Sequence, residues 1–75
     1  MQGKLDEAIS YFRRALQTKP EDTEVHCNLG YALELQGRLE EAIKEYRQAL
    51  QINPDYNEAS ERLETALAKQ RQNRQ

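Results

Sequence analysis

The hydrophobic positions of this chain recur at the three- and four-residue spacing of a helix that is apolar along one side. Four large apolar residues follow this spacing near the N-terminus: Leu5, Ile9, Phe12 and Leu16. Such a pattern predicts an amphipathic α-helix. Pro20 follows shortly after, and a proline disfavours helical geometry in the residue before it. We therefore predict a first helix over residues 3–18.

The segment that carries this helix occurs twice. Residues 3–20 read GKLDEAISYFRRALQTKP, and residues 37–54 read GRLEEAIKEYRQALQINP, 34 positions later. Ten of the eighteen aligned positions are identical, and self-similarity at a fixed offset is typical of repeat architectures. The second copy predicts another helix over residues 38–52, again followed by a proline.

The segments after the two copies are also helical in pattern and are related by the same offset. We predict helices over residues 23–36 and 56–71, with Asp22 as the N-cap of the former. Gly30 falls inside that helix, where glycine costs about 1 kcal/mol relative to alanine. We therefore expect Gly30 to let another helix approach closely, and Gly37 to end the helical run before the next helix.

The last segment departs from the repeat at both of these glycines. Glu64 stands where Gly30 stands one repeat earlier, and Arg71 stands where Gly37 does. A glutamate leaves no room for a close neighbour, and an arginine does not favour a tight turn. We therefore predict that the fourth helix is a cap.

Composition narrows the class of protein. The chain has 75 residues, enough for one domain, and only 37% of them are hydrophobic, which favours an open architecture whose elements touch only their neighbours. Eleven basic and thirteen acidic residues give a net charge of −2, so we expect no nucleic-acid partner. There is no long apolar segment, and we expect neither a membrane span nor a secretory signal. A single cysteine, Cys27, fits a reducing, cytoplasmic setting.

Residues 28–54, NLGYALELQGRLEEAIKEYRQALQINP, resemble the tetratricopeptide repeat (TPR), a helix–turn–helix unit of 34 residues. The resemblance is carried by Leu29, Gly30, Leu33, Ala42, Tyr46, Ala49 and Pro54 and, one repeat earlier, by Ala8, Phe12, Ala15 and Pro20. His26 stands where the family usually has tryptophan, and we expect this smaller, polar ring to weaken packing locally. The resemblance implies an all-α fold, a fragment of an α-solenoid with about four antiparallel helices.

The register of the repeats predicts the domain organisation. We expect a single TPR domain over residues 1–72 and a polar tail over 73–75. The domain would hold the second helix of one repeat, a complete repeat and a capping helix, at residues 3–20, 23–56 and 57–72. In this register the first helix lacks one neighbour, so the chain is expected to be part of a longer array or a homo-oligomer. The predicted self-association face consists of Leu5, Ile9, Phe12 and Leu16.

The resemblance also implies a concave groove, lined by the first helix of each repeat, that holds an extended peptide of a partner protein. The candidate groove residues are Cys27, Asn28, Tyr31, Leu35, Glu58, Arg62, Thr65 and Lys69. Asn28 can both donate to and accept from a peptide backbone. A groove with no ligand is the alternative.

Two groove chemistries of TPR proteins can be compared with these residues. In the clamp that grips a C-terminal carboxylate, Asn28 and Arg62 match, but Glu58 replaces a lysine and would repel the ligand. In the asparagine ladder, an asparagine recurs in every repeat, but here Asn28 has Arg62 at the equivalent position of the next repeat. Neither pattern is complete.

No catalytic or metal site is predicted. His26 and Cys27 are adjacent on a helix, so their side chains diverge and cannot form a catalytic pair. We predict a non-enzymatic interaction module without metal or cofactor. The alternatives are a structural assembly unit or excised stretch of an array that binds nothing, and a targeting appendage of a larger enzyme.

Overall fold

The computed structural model describes residues 2–73, which form a row of four α-helices. They are α1 (Gln2–Thr18), α2 (Thr23–Leu35), α3 (Leu39–Ile52) and α4 (Asn57–Asn73). The predicted all-α fold is confirmed, and every predicted helix boundary lies within two residues of the observed one. Asn73, the first residue of the predicted polar tail, is helical, and the other two tail residues lie outside the described range.

The helix ends follow the local chemistry that the sequence indicates. The Asp22 carboxylate accepts a hydrogen bond from the backbone N–H of Val25 at 3.2 Å, as an N-cap does. Gly37 has a φ of 81°, a left-handed conformation that glycine adopts without steric cost. Both helices that precede a proline, α1 and α3, end two residues before it.

Packing runs along the chain from one helix to the next. α1 packs against α2, α2 against α3, and α3 against α4, with a smaller contact between α2 and α4. The described part of the molecule is flat, with extents of 39 × 32 × 14 Å. Such neighbour-to-neighbour packing is characteristic of repeat proteins, in which each unit contacts only the next.

The contact between α2 and α3 centres on Tyr46, which is fully buried. Its ring lies against Gly30: a Cβ atom added to this glycine would be 2.7 Å from Cε1 and 2.9 Å from Cδ1 of the ring. The prediction that Gly30 permits a close approach is confirmed. The buried core around this contact consists of Ile9, Cys27, Leu29, Ala32, Leu33, Ala42, Ile43, Tyr46, Ala49, Ala59 and Ala66.

His26 links three elements through its ring. Nδ1 lies 2.8 Å from Oε1 of Glu45 on α3, and Nε2 lies 2.7 Å from the carbonyl oxygen of Pro20 in the α1–α2 loop. Both partners are acceptors, so a neutral ring donates to one of them and a charged ring donates to both. The prediction of weaker packing overlooked these two polar contacts, which a tryptophan could not make together.

The predicted self-association face of α1 is partly covered within the single chain. Ile9 is only 6% exposed, so it is core rather than surface, and Leu5, Phe12 and Leu16 are partly buried against the same core. The expectation that this stripe stays open is therefore wrong for Ile9. The physical reason is the width of the apolar face of α1. Part of this face packs against α2, and the rest extends onto the side of α1 that no other described helix covers.

The repeat partners of these residues on α3 show what the second neighbour adds. Ala42, Tyr46 and Ala49 are fully buried, because α3 has α2 on one side and α4 on the other. The equivalent residues of α1 are Ala8, Phe12 and Ala15, and all three are only partly buried. α1 thus has one neighbouring helix where α3 has two.

Candidate functional site: the groove between α2 and α4

The candidate groove lies where α2 and α4, the two helices related by the repeat, run beside each other. A cleft of about 280 Å³ is lined there by Glu34, Glu58, Glu61, Arg62 and Thr65. Larger clefts, of about 640 and 710 Å³, lie beside α3 and between the α1–α2 and α3–α4 loops. They contain none of the predicted groove or self-association residues, so the smaller cleft is the one that the sequence indicates.

Arg62 lines this cleft from α4 and lies over the ring of Tyr31 on α2. The guanidinium carbon of Arg62 lies 3.9 Å from the centroid of the Tyr31 ring, within the range of a cation–π interaction. Nε of Arg62 also donates to Oε2 of Glu58 at 3.3 Å. Three predicted groove residues are therefore brought together across α2 and α4, and Arg62 is already engaged on two sides.

Glu34 connects three helices beneath the groove, a role that our sequence reasoning missed. Its side chain, on α2, is 7% exposed. It accepts hydrogen bonds from the hydroxyl of Tyr46 on α3 at 2.7 Å and from Nζ of Lys69 on α4 at 2.6 Å. Burial and the bond to Glu34 raise the pKa of the Tyr46 phenol. Glu34 lies one turn after Gly30, hence on the side of α2 that contacts Tyr46. This spacing was the feature of the sequence from which a contact between Glu34 and Tyr46 could have been predicted.

Cys27 does not line the open groove, contrary to its prediction. Its side chain is fully buried in the core, because α4 packs over this side of α2 and the Arg62 side chain lies beside the thiol. Burial, and next the charge of Glu58, raise the pKa of the Cys27 thiol to about 11. The thiol is therefore held in its neutral, less nucleophilic form.

The remaining predicted residues differ in how much they offer a ligand. Tyr31 is 41% exposed and Leu35 is 54% exposed. The hydroxyl of Thr65 donates to the carbonyl oxygen of Glu61 on its own helix, so it is partly used. Asn28 is partly buried, and its carboxamide has no hydrogen-bond partner within residues 2–73. Asn28 lies three residues before Tyr31, hence on the same face of α2.

The basic side chains of the groove are in ion pairs, whereas some of its acidic side chains are not. Both of its cations are in ion pairs, Arg62 with Glu58 and Lys69 with Glu34. Glu61 lines the cleft, and Glu24 lies one turn before Asn28 on α2, where it lines the neighbouring cleft between the loops. Neither carboxylate has an ion-pair partner in the described part of the chain. The unpaired charge of the groove is therefore negative, and the one arginine that could hold a carboxylate is already occupied.

The comparison with known families agrees with the helical repeat of 34 residues. A tetratricopeptide repeat family model matches residues 2–57. The chain belongs to the tetratricopeptide repeat family. TPR domains are in general non-catalytic scaffolds that bind other proteins. No curated protein sequence matches the chain.

The match covers α1, α2 and α3 and stops at the first residue of α4. Within residues 2–73 of this TPR domain, no group of three or more His, Cys, Asp or Glu side chains is close enough to hold a metal ion. None of the described helices combines the length and the apolar character that crossing a membrane requires.

Proposed function

We propose that this TPR domain is a protein-interaction module that binds an extended segment of a partner protein in the groove between α2 and α4. The observation that carries the proposal is the unused carboxamide of Asn28. An amide offers two donors and an acceptor, so it can pair with a peptide backbone without requiring a particular side chain. Beside it, Tyr31 and Leu35 expose apolar surface that a bound side chain would cover.

The charges of the groove favour a basic segment. Glu24 and Glu61 are unpaired within residues 2–73, whereas Arg62 and Lys69 are neutralised by neighbouring carboxylates. A lysine or arginine of the partner would find complementary charge, and an acidic C-terminus would find none. This argues against the carboxylate clamp, because Arg62 would first have to leave Glu58 and the ring of Tyr31.

Selection from a displayed library of random peptides tests the proposal. The wild-type domain is expected to enrich basic peptides with an apolar residue, and Asn28→Ala is expected to weaken their binding. Gln48→Ala is the matched control, because Gln48 is an exposed amide on α3 that lies outside this groove. Equal binding by the wild type and Asn28→Ala, or no enrichment at all, would favour a structural spacer.

A charge swap tests the expected preference for basic segments. Glu61→Lys is expected to lower the affinity for a selected basic peptide by about fivefold. Glu64→Lys alters the net charge equally on the same helix, at an exposed position outside the cleft, and is expected to have little effect. Selection of neutral or acidic peptides would refute the charge argument and leave groove binding standing.

Self-association through α1 is a second candidate, and the exposure of Tyr11 favours it. Tyr11 is 68% exposed and lies edge-on to Phe12, with 5.8 Å between the ring centroids. Together with the uncovered parts of Leu5 and Leu16, this pair could meet the same surface of a second copy. Light scattering during size-exclusion chromatography tests it, and a monomer at every concentration would refute it.

A reducing, cytoplasmic setting is part of the proposal, since the cysteine is unpaired.

A further inference from the structure

The groove between α2 and α4 already holds a guanidinium, and it belongs to the chain itself. The guanidinium carbon of Arg62 lies 3.9 Å from the centroid of the Tyr31 ring, and Nε of Arg62 donates to Oε2 of Glu58 at 3.3 Å. An aromatic face and a carboxylate within reach of one guanidinium suit arginine, because its planar head stacks on a ring and pairs with carboxylates. The position of Arg62 therefore defines a guanidinium subsite, made by Tyr31 and Glu58.

This subsite lies on the path of the basic segment expected in the groove. Arg62 and Glu58 line the same cleft as Glu61, whose carboxylate has no ion-pair partner within residues 2–73. A basic side chain that approaches Glu61 therefore reaches a place where Arg62 is already present. Like charges side by side repel each other, and the covered face of the Tyr31 ring stacks on one guanidinium at a time.

The contacts of Arg62 are exposed enough for a ligand to displace them. The side chain of Arg62 is 33% exposed and that of Glu58 is 49% exposed. Stacking on a ring and ion pairing are both weak at exposed positions, since water competes for the same groups. Competition from Arg62 therefore lowers the affinity for a basic ligand without abolishing binding.

We propose that Arg62 is an internal competitor of the partner's basic residue: it occupies the Tyr31–Glu58 subsite in the free protein and leaves when an arginine of the partner binds there. This role rests on the proposed binding of a basic segment in the groove. It is the opposite of the role of an arginine in a carboxylate clamp, which holds the ligand. The preferred ligand side chain is arginine, because the ammonium of lysine lacks the planar head that stacks on the ring.

Titration of two capped peptides, followed by NMR, tests this role of Arg62. One peptide has a single arginine and a single leucine among glycines and serines, and the other has lysine in place of the arginine. Arg62→Gln is expected to bind the arginine peptide about fivefold more tightly than the wild type does, since the ring and Glu58 are released. The lysine peptide is expected to gain less.

Two further variants control for charge and for location. Arg47→Gln removes the same charge at an exposed position of α3 outside this groove, and it is expected to bind both peptides as the wild type does. Adding Tyr31→Ala to Arg62→Gln is expected to remove the gain, because the ring that the partner's arginine would cover is lost.

The departure of Arg62 has its own signature in the wild type. The NMR signal of its Nε–H reports the bond to Glu58, and saturation with the arginine peptide is expected to move this signal towards that of a solvated arginine. This measurement needs no variant. It therefore decides the question if circular dichroism shows that Arg62→Gln is unfolded.

The outcomes distinguish failure of this inference from failure of the proposed function. Binding by a folded Arg62→Gln that is no tighter than that of the wild type overturns the inference and leaves groove binding standing. So does an equal gain by Arg47→Gln, a gain that persists without the Tyr31 ring, or an Arg62 signal that stays in place while the peptide binds. If neither the wild type nor Arg62→Gln binds either peptide, the proposed function fails and the inference fails with it.

Discussion

Replacing Gly30 with alanine tests the close contact between α2 and α3, and its cost can be worked out from the distances. The new Cβ would lie 2.7 Å and 2.9 Å from two ring atoms of Tyr46, whereas carbon atoms in contact prefer about 3.5–4.0 Å. The ring cannot swing aside, because it is fully buried and its hydroxyl is bonded to Glu34. The two helices would have to separate by something on the order of 1 Å.

Two opposing terms set the size of the effect. Overpacking of this kind costs roughly 1–3 kcal/mol, and the upper end applies where a buried ring is held in place. Alanine returns about 1 kcal/mol through its better helix propensity. We therefore expect Gly30→Ala to lower the free energy of unfolding by about 2 kcal/mol, which in a domain of this size lowers the Tm by about 10 °C.

Thermal and urea denaturation followed by circular dichroism measure this loss. Gly3→Ala is the control, because it makes the same substitution in a helix at a position with no atom within 4 Å of the new Cβ. It is expected to leave the stability unchanged or slightly raised. The reasoning is refuted if Gly30→Ala melts at or above the temperature of the wild type.

Three further predictions concern side chains in the groove and beneath it. Stability should fall as the pH rises from about 9 towards 11, by up to about 1.4 kcal/mol per pH unit, because burial raises the pKa of Cys27 from 9.0 to about 11 and the unfolded chain loses that proton first. Urea denaturation across this range measures it. Cys27→Ala should flatten the profile between pH 9 and 10, and the loss of stability above pH 10 should remain, because the folded state also raises the pKa of the Tyr46 and Tyr56 phenols. Tyr46→Phe should cost about 1.5 kcal/mol or more, since it removes a bond to a buried carboxylate; a loss no greater than that of Tyr31→Phe would contradict the bond to Glu34. A double-mutant cycle of Tyr31→Ala and Arg62→Ala should give a coupling of about 0.5–1 kcal/mol, and a coupling of zero would show that the stacking contributes nothing.

The fold was accessible from the sequence because its determinants are local. The cap at Asp22, the turn at Gly37 and the helix-ending prolines each act within a few residues, and the repeat supplied the proline signal twice. The role of Gly30 was also predictable. A glycine inside a helix is costly, so its presence there indicated a close neighbour before the neighbour was known to be Tyr46.

The groove was less predictable because it depends on how far one helix covers another. Helical spacing indicated the correct side of α2 for Cys27, yet α4 and the Arg62 side chain close over it. The same limit applies to Ile9, whose direction was correctly assigned and whose neighbour was already present. Glu34 was missed for another reason. A charged residue on a predicted helix is taken as solvated unless its partners are known, and its partners, Tyr46 and Lys69, come from two other helices.

The stepwise packing of the helices determines how the molecule should open. α2 is the central element: it packs against each of the other three helices, whereas α1 packs against α2 and reaches α3 through an exposed ion pair between Arg13 and Glu41. Opening that begins at α1 can therefore leave the α2–α3 hairpin intact, as in linear arrays that lose structure from their ends. Amide protons should exchange with solvent in a gradient, slowest around Leu33 and Tyr46 and fastest in α1, so that the terminal helix is lost first on the way to the unfolded state.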